Sequence, residues 1–132
     1  MPGETNLQRL LRSMSPELLE GEYVFCTVKN AHYGDYAEAD PIASFTEAEG
    51  LTLVLLKDSA EQSGLDWQEE YRCITLGVHS SLQAVGLTAA VAGALAENGI
   101  SANVIAAYFH DHVFIPSELA SKALGILLAL NN

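Results

Sequence analysis

The pattern of apolar and polar positions in the first half of the chain predicts short helices and buried strands. Capping-box spacing predicts short helices over residues 5–13 and 58–63, each beginning with a residue that can cap the first turn. The β-former run at residues 22–28 and the continuous apolar run at residues 51–56 are typical of strands. Between these two strands, residues 45–49 favour a single helical turn.

The second half of the chain predicts the order strand, helix, strand, strand, helix. The clearest helix has Ser80 in the capping position and ends at Asn98 and Gly99, a strong C-terminal signal. Its small residues, Gly86 and Gly93 among them, predict close packing on a sheet. The other predicted elements are strands at 71–79, 101–109 and 113–116, a tight turn at 110–112 and a helix at 117–130.

This order is most of a ferredoxin-like βαββαβ motif, in which helices cover one face of an antiparallel sheet. The expected fold class is therefore α+β. One strand of the motif is missing, because the chain stops shortly after the last helix. Residues 22–28 or residues 51–56 could supply the fourth strand, and residues 22–28 are favoured.

The acidic residues are concentrated in the first half of the chain. Of the formal charge of −11, residues 1–71 carry −10 and residues 72–132 carry −1. Such a field repels phosphate backbones and anionic lipids, so neither nucleic acid nor membrane is an expected partner. The opening residues lack the apolar core of a signal peptide, and no run reaches the roughly 18 apolar residues of a membrane span. We therefore expect a cytoplasmic protein.

Several common sequence motifs of catalysis are absent from the chain. A glycine-rich phosphate loop, a G-x-S-x-G elbow and an H-E-x-x-H zinc motif are all missing. Cys26 and Cys73 each lie in an apolar strand-like run without a C-x-x-C partner, which favours two buried, reduced thiols. We therefore expect no catalytic residues and no cofactor.

The turn VHSSLQAVGL is the strongest candidate for a binding site. It places two hydroxyls and several unpaired backbone N–H groups at the start of a helix, where the dipole is positive and a carboxylate fits. Gly86 leaves room for a ligand to approach the backbone, and Asn103 offers a donor and an acceptor to a zwitterion. The simpler interpretation is structural, with Ser80 as helix cap and Gly86 needed for packing.

The histidines offer a different interpretation. His110 and His112 are two residues apart and would project from the same side of a strand, and His79 could add a third metal ligand. A general-base pair with Asp111 is a further possibility. Asp is also a favoured residue of hairpin turns, so this spacing is a weak signal for a metal, and we expect no metal site.

The longest recognisable segment, RCITLGVHSSLQAVGLTAAVAGALAENGISANVIAAYFHDHVFIP, resembles the second half of a bacterial family of short, uncharacterised ACT-domain proteins. The N-terminal SMSPELLEGEYVFCTV is similar to the opening segment of the same family. ACT domains are ferredoxin-like regulatory modules that commonly bind amino acids between paired domains, and related modules occur in aspartate kinases. The resemblance implies two ACT-like halves, at residues 1–70 and 71–132.

The resemblance also implies a function and a site. It implies a non-catalytic regulatory protein and ligand sensor that binds a small molecule, an amino acid, as a homodimer. The ligand-binding residues that it implies are Ser80, Ser81, Ala84, Val85, Gly86, Leu87, Asn103 and Val104. Two other hypotheses remain open: a ligand-free interaction scaffold whose acidic first half docks a partner protein, and a small metal-dependent enzyme built on the histidines and Asp111.

Overall fold

The first twenty residues fold with the C-terminal half of the chain. The computed structural model describes residues 6–78 and 85–130. Two compact units are present: unit 1 combines Met1–Glu20 with Arg72–Asn132, and unit 2 is Gly21–Tyr71. Residues 6–20, which the prediction places in the half at residues 1–70, therefore pack with the half that the prediction places at residues 71–132.

The helices are α1 (Leu7–Arg12), α2 (Lys57–Gln62), α3 (Leu87–Glu97) and α4 (Ala120–Ala129). The strands are β1 (Pro16–Leu18), β2 (Tyr23–Val28), β3 (Ala43–Glu47), β4 (Gly50–Leu56), β5 (Tyr71–Leu76), β6 (Asn103–Ala106) and β7 (Asp111–Pro116). Short 3-10 turns lie at Ala37–Ala39 and Ser117–Leu119. Within the described residues, no helix has the length and apolar content needed to cross a bilayer.

Unit 1 is a complete ferredoxin-like βαββαβ arrangement, as predicted. Its strands lie in the order β1, β5, β7, β6. The fourth strand is β1, which pairs antiparallel with β5 from Pro16 opposite Leu76 to Leu18 opposite Ile74. Backbone bonds from Gly77 to Ser15 (3.2 Å) and from Val78 to Met14 (3.3 Å) extend this pairing.

The strand over residues 22–28, which the sequence favours as the fourth strand of this unit, has a different partner. As β2, it pairs antiparallel with β4 along its whole length, from Tyr23 opposite Leu56 to Val28 opposite Leu51. The physical reason is burial: the side chains of β2 and β4 that face inward form the core of unit 2. Leu18 of β1 packs instead against the core of unit 1.

The helices of unit 1 supply most of its core. Leu10 and Met14, which flank the end of α1, are fully buried, and Asn6 caps that helix by accepting a hydrogen bond from the Arg9 N–H (3.1 Å). The buried cluster consists of Leu10, Met14, Ile74, Leu76, Leu87, Val91, Leu95, Ile100, Val113, Ile115, Ala123 and Leu127. The N-terminal segment is thus part of the core of unit 1.

Unit 2 is a small antiparallel sheet in which β4 lies between β3 and β2. Its core contains the inward side chains of β2 and β4 together with Ala39 and Ala60. The helical turn predicted at residues 45–49 is wrong, because these residues form most of β3 and its hairpin turn. Nearly all side chains of β3 are exposed, so its sequence lacks the alternation of apolar and polar residues that is typical of a strand. Pairing with the buried strand β4 therefore determines the strand conformation of these residues.

Gly93 lies in α3 and has no packing role against the sheet, contrary to the prediction. It is exposed, and a Cβ atom there would meet nothing within 4 Å. We expect Gly93→Ala to raise the free energy of unfolding by about 0.8 kcal/mol, because glycine in a helix interior is entropically costly. Urea denaturation followed by circular dichroism checks this, and a loss of stability would contradict the outward orientation of this position.

Candidate functional site

One end of the unit 1 sheet brings together His110, Asp111 and His112, three of the polar residues that the sequence singles out. Here β5 ends, β7 begins at Asp111, and α3 starts at Leu87 after the segment that follows β5. His110 donates from Nδ1 to the Val78 carbonyl (3.1 Å), which joins the start of β7 to the end of β5. We refer to this region, residues 75–78, 85–87 and 110–112, as the β5–α3 end.

The structure describes only part of the predicted strand-to-helix turn. Ser80, Ser81 and Ala84 lie outside the described residues, as does His79. Val85 is 82 % exposed, whereas Leu87 is 3 % exposed and belongs to the core of unit 1. Leu87 could therefore serve a ligand only through its backbone, and Val85 presents its side chain to solvent.

The helix begins later than the sequence predicts. Gly86 is the N-cap of α3, with φ of 102°, a value that other residues rarely adopt. It therefore precedes the helix instead of lying one turn inside it. A Cβ atom at Gly86 would lie 3.2 Å from Leu7 Cδ2, so the Leu7 side chain of α1 packs close to this glycine.

Asn103 and Val104 lie on β6, apart from the turn. Asn103 is exposed and pairs with Phe114, while the next residues along β6 run toward Asp111 at the β5–α3 end. The strand β7 lies between β6 and β5. Along β6, Ala106 is the residue that pairs with Asp111, and Asn103 lies three residues before it. Within one copy of the chain, Asn103 therefore lies about 10 Å along β6 from the pair that Ala106 forms with Asp111.

Asp111 is a residue that the sequence interpretation placed incorrectly. It opens β7 instead of sitting in a tight turn, and the turn is closed one residue earlier by Ala107 N–H and the His110 carbonyl (3.1 Å). Asp111 is 8 % exposed and is the buried charged residue of the described chain. Since strand side chains alternate, it shares the core face with Val113 and Ile115.

His110 and His112 flank Asp111 in the sequence, but their hydrogen bonds are made with residues of the β5 side and not with Asp111. A hydrogen bond of 2.9 Å joins His112 Nδ1 to Thr75 Oγ1 of β5. Burial lowers the pKa of His112 and the neighbouring His110 lowers it further, while Asp111 opposes both. Among the described residues no group of three potential ligands could hold a metal, and His79, the third ligand of that hypothesis, is not among them.

The electrostatic state of Asp111 makes stability depend on pH. Burial raises the pKa of its carboxyl group, and His112 and His110 lower it in part. The folded chain therefore holds this proton more tightly than the unfolded chain, whose Asp pKa is about 3.9. The resulting contribution to stability is complete below that pH and is lost as the pH rises through the folded pKa.

We therefore expect Asp111→Asn to stabilise the protein at pH 7, because the amide removes a buried charge. The difference from the unaltered protein should shrink toward zero at pH 3, where both side chains are neutral. Urea unfolding at several pH values measures this difference. An equal gain at pH 3 and pH 7 would show that the ionisation of Asp111 is not its source.

The two cysteines are free and buried, in agreement with the prediction. Burial raises the pKa of Cys73 to about 11, although a hydrogen bond with Thr75 acts in the opposite direction. Burial also raises the pKa of Cys26, and the charge of Asp66 adds to that effect. Both thiols therefore stay protonated at neutral pH, which is unfavourable for a nucleophile.

Family comparison assigns ACT domains to both parts of the chain. One ACT-domain model matches residues 2–72, more than half of the chain, and a second ACT-domain model matches residues 68–129. No curated protein matches at a significant level. The resemblance to ACT-domain proteins inferred from the sequence is thus confirmed.

Solved structures agree with this assignment. A Vibrio cholerae protein of unknown function, described as a possible transport protein, is 56 % identical, with a TM-score of 0.86 over 96 % of each chain. An Agrobacterium tumefaciens protein shares 19 % identity, with a TM-score of 0.71 over 88 % of this chain and 87 % of its own. The regulatory subunit of aspartate kinase from Thermus flavus has the same fold at 12 % identity, with a TM-score of 0.67 over 89 % of this chain and 97 % of its own. The chain belongs to the ACT-domain family and carries two ACT domains in tandem.

Proposed function

We propose that this chain is a non-catalytic, cytoplasmic regulatory protein that binds an amino acid at the β5–α3 end of unit 1. The observation that carries the proposal is Asp111. Its carboxylate is buried at the end of the sheet where α3 begins, and burial raises its pKa. A buried carboxylate lowers the stability of a protein, and groups that do so are common at binding sites.

The charges at this end match a zwitterion. The first N–H groups of α3, from Leu87 onward, carry the positive end of the helix dipole and suit a carboxylate. Asp111 suits an ammonium group. In this proposal Ser80, Ser81, Ala84 and Val85 line the same ligand, since their segment joins Val78 to the cap of α3.

Asn103 and Val104 take part through a second copy of the chain. They lie on β6, the edge strand of unit 1, and Asn103 is exposed there. In a homodimer paired along this edge, they would face the ligand of the neighbouring copy. ACT domains are typically regulatory ligand-binding modules, and aspartate kinase regulatory subunits share this fold, which supports the proposal.

The direct test is thermal-shift screening and calorimetry with each proteinogenic amino acid. A ligand at a hundredfold excess over its dissociation constant should stabilise the protein by about 2.7 kcal/mol. Asp111→Asn should weaken binding of that ligand at least about tenfold, since a charge-assisted hydrogen bond is lost. The same variant should fold at least as well as the unaltered protein at pH 7.

Glu97→Gln provides a matched control, because Glu97 is an exposed acid at the far end of α3. It should leave binding unchanged. If no amino acid stabilises a well-folded sample, the proposed function is wrong. If Asp111→Asn binds as tightly as the control variant, the site lies elsewhere.

A further inference from the structure

Unit 2 contains a cleft of about 550 Å³ that is separate from the proposed amino-acid site. Three aromatic side chains line it: Phe25 on β2, Trp67 in the segment after α2, and Tyr71. Two carboxylates, Asp66 and Glu69, also line it. The cleft therefore combines apolar walls with negative charge, within one unit of the fold.

The aromatic walls are held in place. The Trp67 indole donates from Nε1 to Glu70 Oε2 (2.8 Å), and its ring packs against the core of unit 2. Phe25 and Tyr71 meet edge to face, with ring centroids 5.3 Å apart and an interplanar angle of 76°. All three side chains are half-buried. A ligand would thus meet preformed ring surfaces, which lowers the entropic cost of binding.

The acids of the cleft are accessible to a ligand. Asp66 and Glu69 are exposed, and Glu69 Oε2 accepts a hydrogen bond from the Tyr71 hydroxyl (3.1 Å), which draws the carboxylate toward the aromatic wall. Neither lysine of unit 2 lines the cleft, and Lys57 instead approaches Glu22 (3.9 Å). The two acids therefore face the cleft with no lysine beside them.

The whole of unit 2 reinforces this charge. Its eleven acidic residues face only two lysines, so the unit carries a net charge of −9 out of the −11 of the chain. A field of this sign concentrates cations near the surface and repels carboxylates. A free amino acid, whose own carboxylate would be repelled, is therefore a poor ligand for this cleft.

We propose that the cleft is a second binding site, selective for small organic cations that carry an ammonium or guanidinium head on a short apolar body and no carboxylate. The head would lie over the faces of Trp67 and Tyr71, which attract cations through the ring quadrupole. Glu69 and Asp66 would pair with the positive charge. The apolar body would cover Phe25.

Trp67 makes the test direct, because it is the single tryptophan of the chain and lies in the cleft wall. Choline serves as the quaternary ammonium probe, agmatine as the guanidinium probe, and 3,3-dimethylbutan-1-ol as a neutral molecule of the same shape as choline. We expect a saturable change in Trp67 emission with at least one of the two cations and none with the neutral molecule. Added salt should weaken the binding.

Matched variants distinguish binding in the cleft from a general attraction of cations to the negative charge of unit 2. Glu69→Gln keeps an acceptor for Tyr71 and removes one charge, and Asp66→Asn removes the second. Each should weaken cation binding about three- to fivefold, the upper part of the range for an exposed ion pair. Glu61→Gln, an exposed acid on α2 outside the cleft, should change the affinity less than twofold.

Three outcomes would overturn the proposal. The first is that neither cation produces a saturable signal. The second is that the neutral molecule binds as well as choline, and the third is that Glu61→Gln weakens binding as much as Glu69→Gln. Asp111→Asn should leave cation binding unchanged, because Asp111 belongs to unit 1. The experiments can therefore refute the proposed amino-acid site and the proposed cation site independently of each other.

Discussion

Replacing Leu10 with alanine is expected to lower the free energy of unfolding by about 3–4 kcal/mol, within the range for buried leucine truncations. Leu10 is completely buried among residues of α3, β7 and α4, although it lies almost eighty residues before α3 in the chain. The N-terminal helix is thus a structural part of unit 1, and a cavity at Leu10 should loosen that unit first.

Hydrogen exchange measured by mass spectrometry gives the location of the effect, and urea unfolding gives its size. In Leu10→Ala, amides of α3 and α4 should exchange faster, while those of β4 in unit 2 should change less. Gln8→Ala is the matched control, since Gln8 is exposed on the same helix. Faster exchange confined to unit 2 would contradict the placement of residues 1–20 in unit 1.

Long apolar runs made much of the fold predictable. The runs at residues 22–28, 51–56 and 71–79 appear as β2, β4 and β5, because each buries enough apolar surface to define its own conformation. The three-residue β1 was missed, since its strand conformation depends on pairing with β5, which no local pattern encodes. The missing fourth strand was therefore sought in a longer run.

The β5–α3 end was less predictable, because two local sequence signals gave wrong structural predictions. Ser80, as a capping residue, predicted the start of the helix, but Gly86, with its positive φ, is the N-cap of α3 six residues later. A charged residue between two histidines suggested a turn. The alternation of Asp111 with Val113 and Ile115 was the signal that could have placed it on the core face.

Gly50→Ala is expected to lower the free energy of unfolding by about 3 kcal/mol, as strain and overpacking both act there. Gly50 starts β4 with φ of 152°, directly after the β3–β4 hairpin turn. A Cβ atom would lie 2.8 Å from the backbone oxygen of Val28 on β2, an atom that cannot rotate away. Relief would require β2 and β4 to separate, and these strands form the core sheet of unit 2.

Gly64→Ala gives the cost of replacing a glycine of unit 2 that has a positive φ but no neighbour in the way. Gly64 also has a positive φ, 72°, but a Cβ atom there meets nothing within 4 Å. Its replacement should cost only about 1 kcal/mol, the strain of a left-handed conformation. Urea unfolding of the two variants side by side measures the difference, which combines the clash with Val28 and the different backbone strain at φ of 152°. Equal losses would mean that the β2 and β4 backbones can separate at little cost, and that close strand contact at Gly50 does not limit the stability of unit 2.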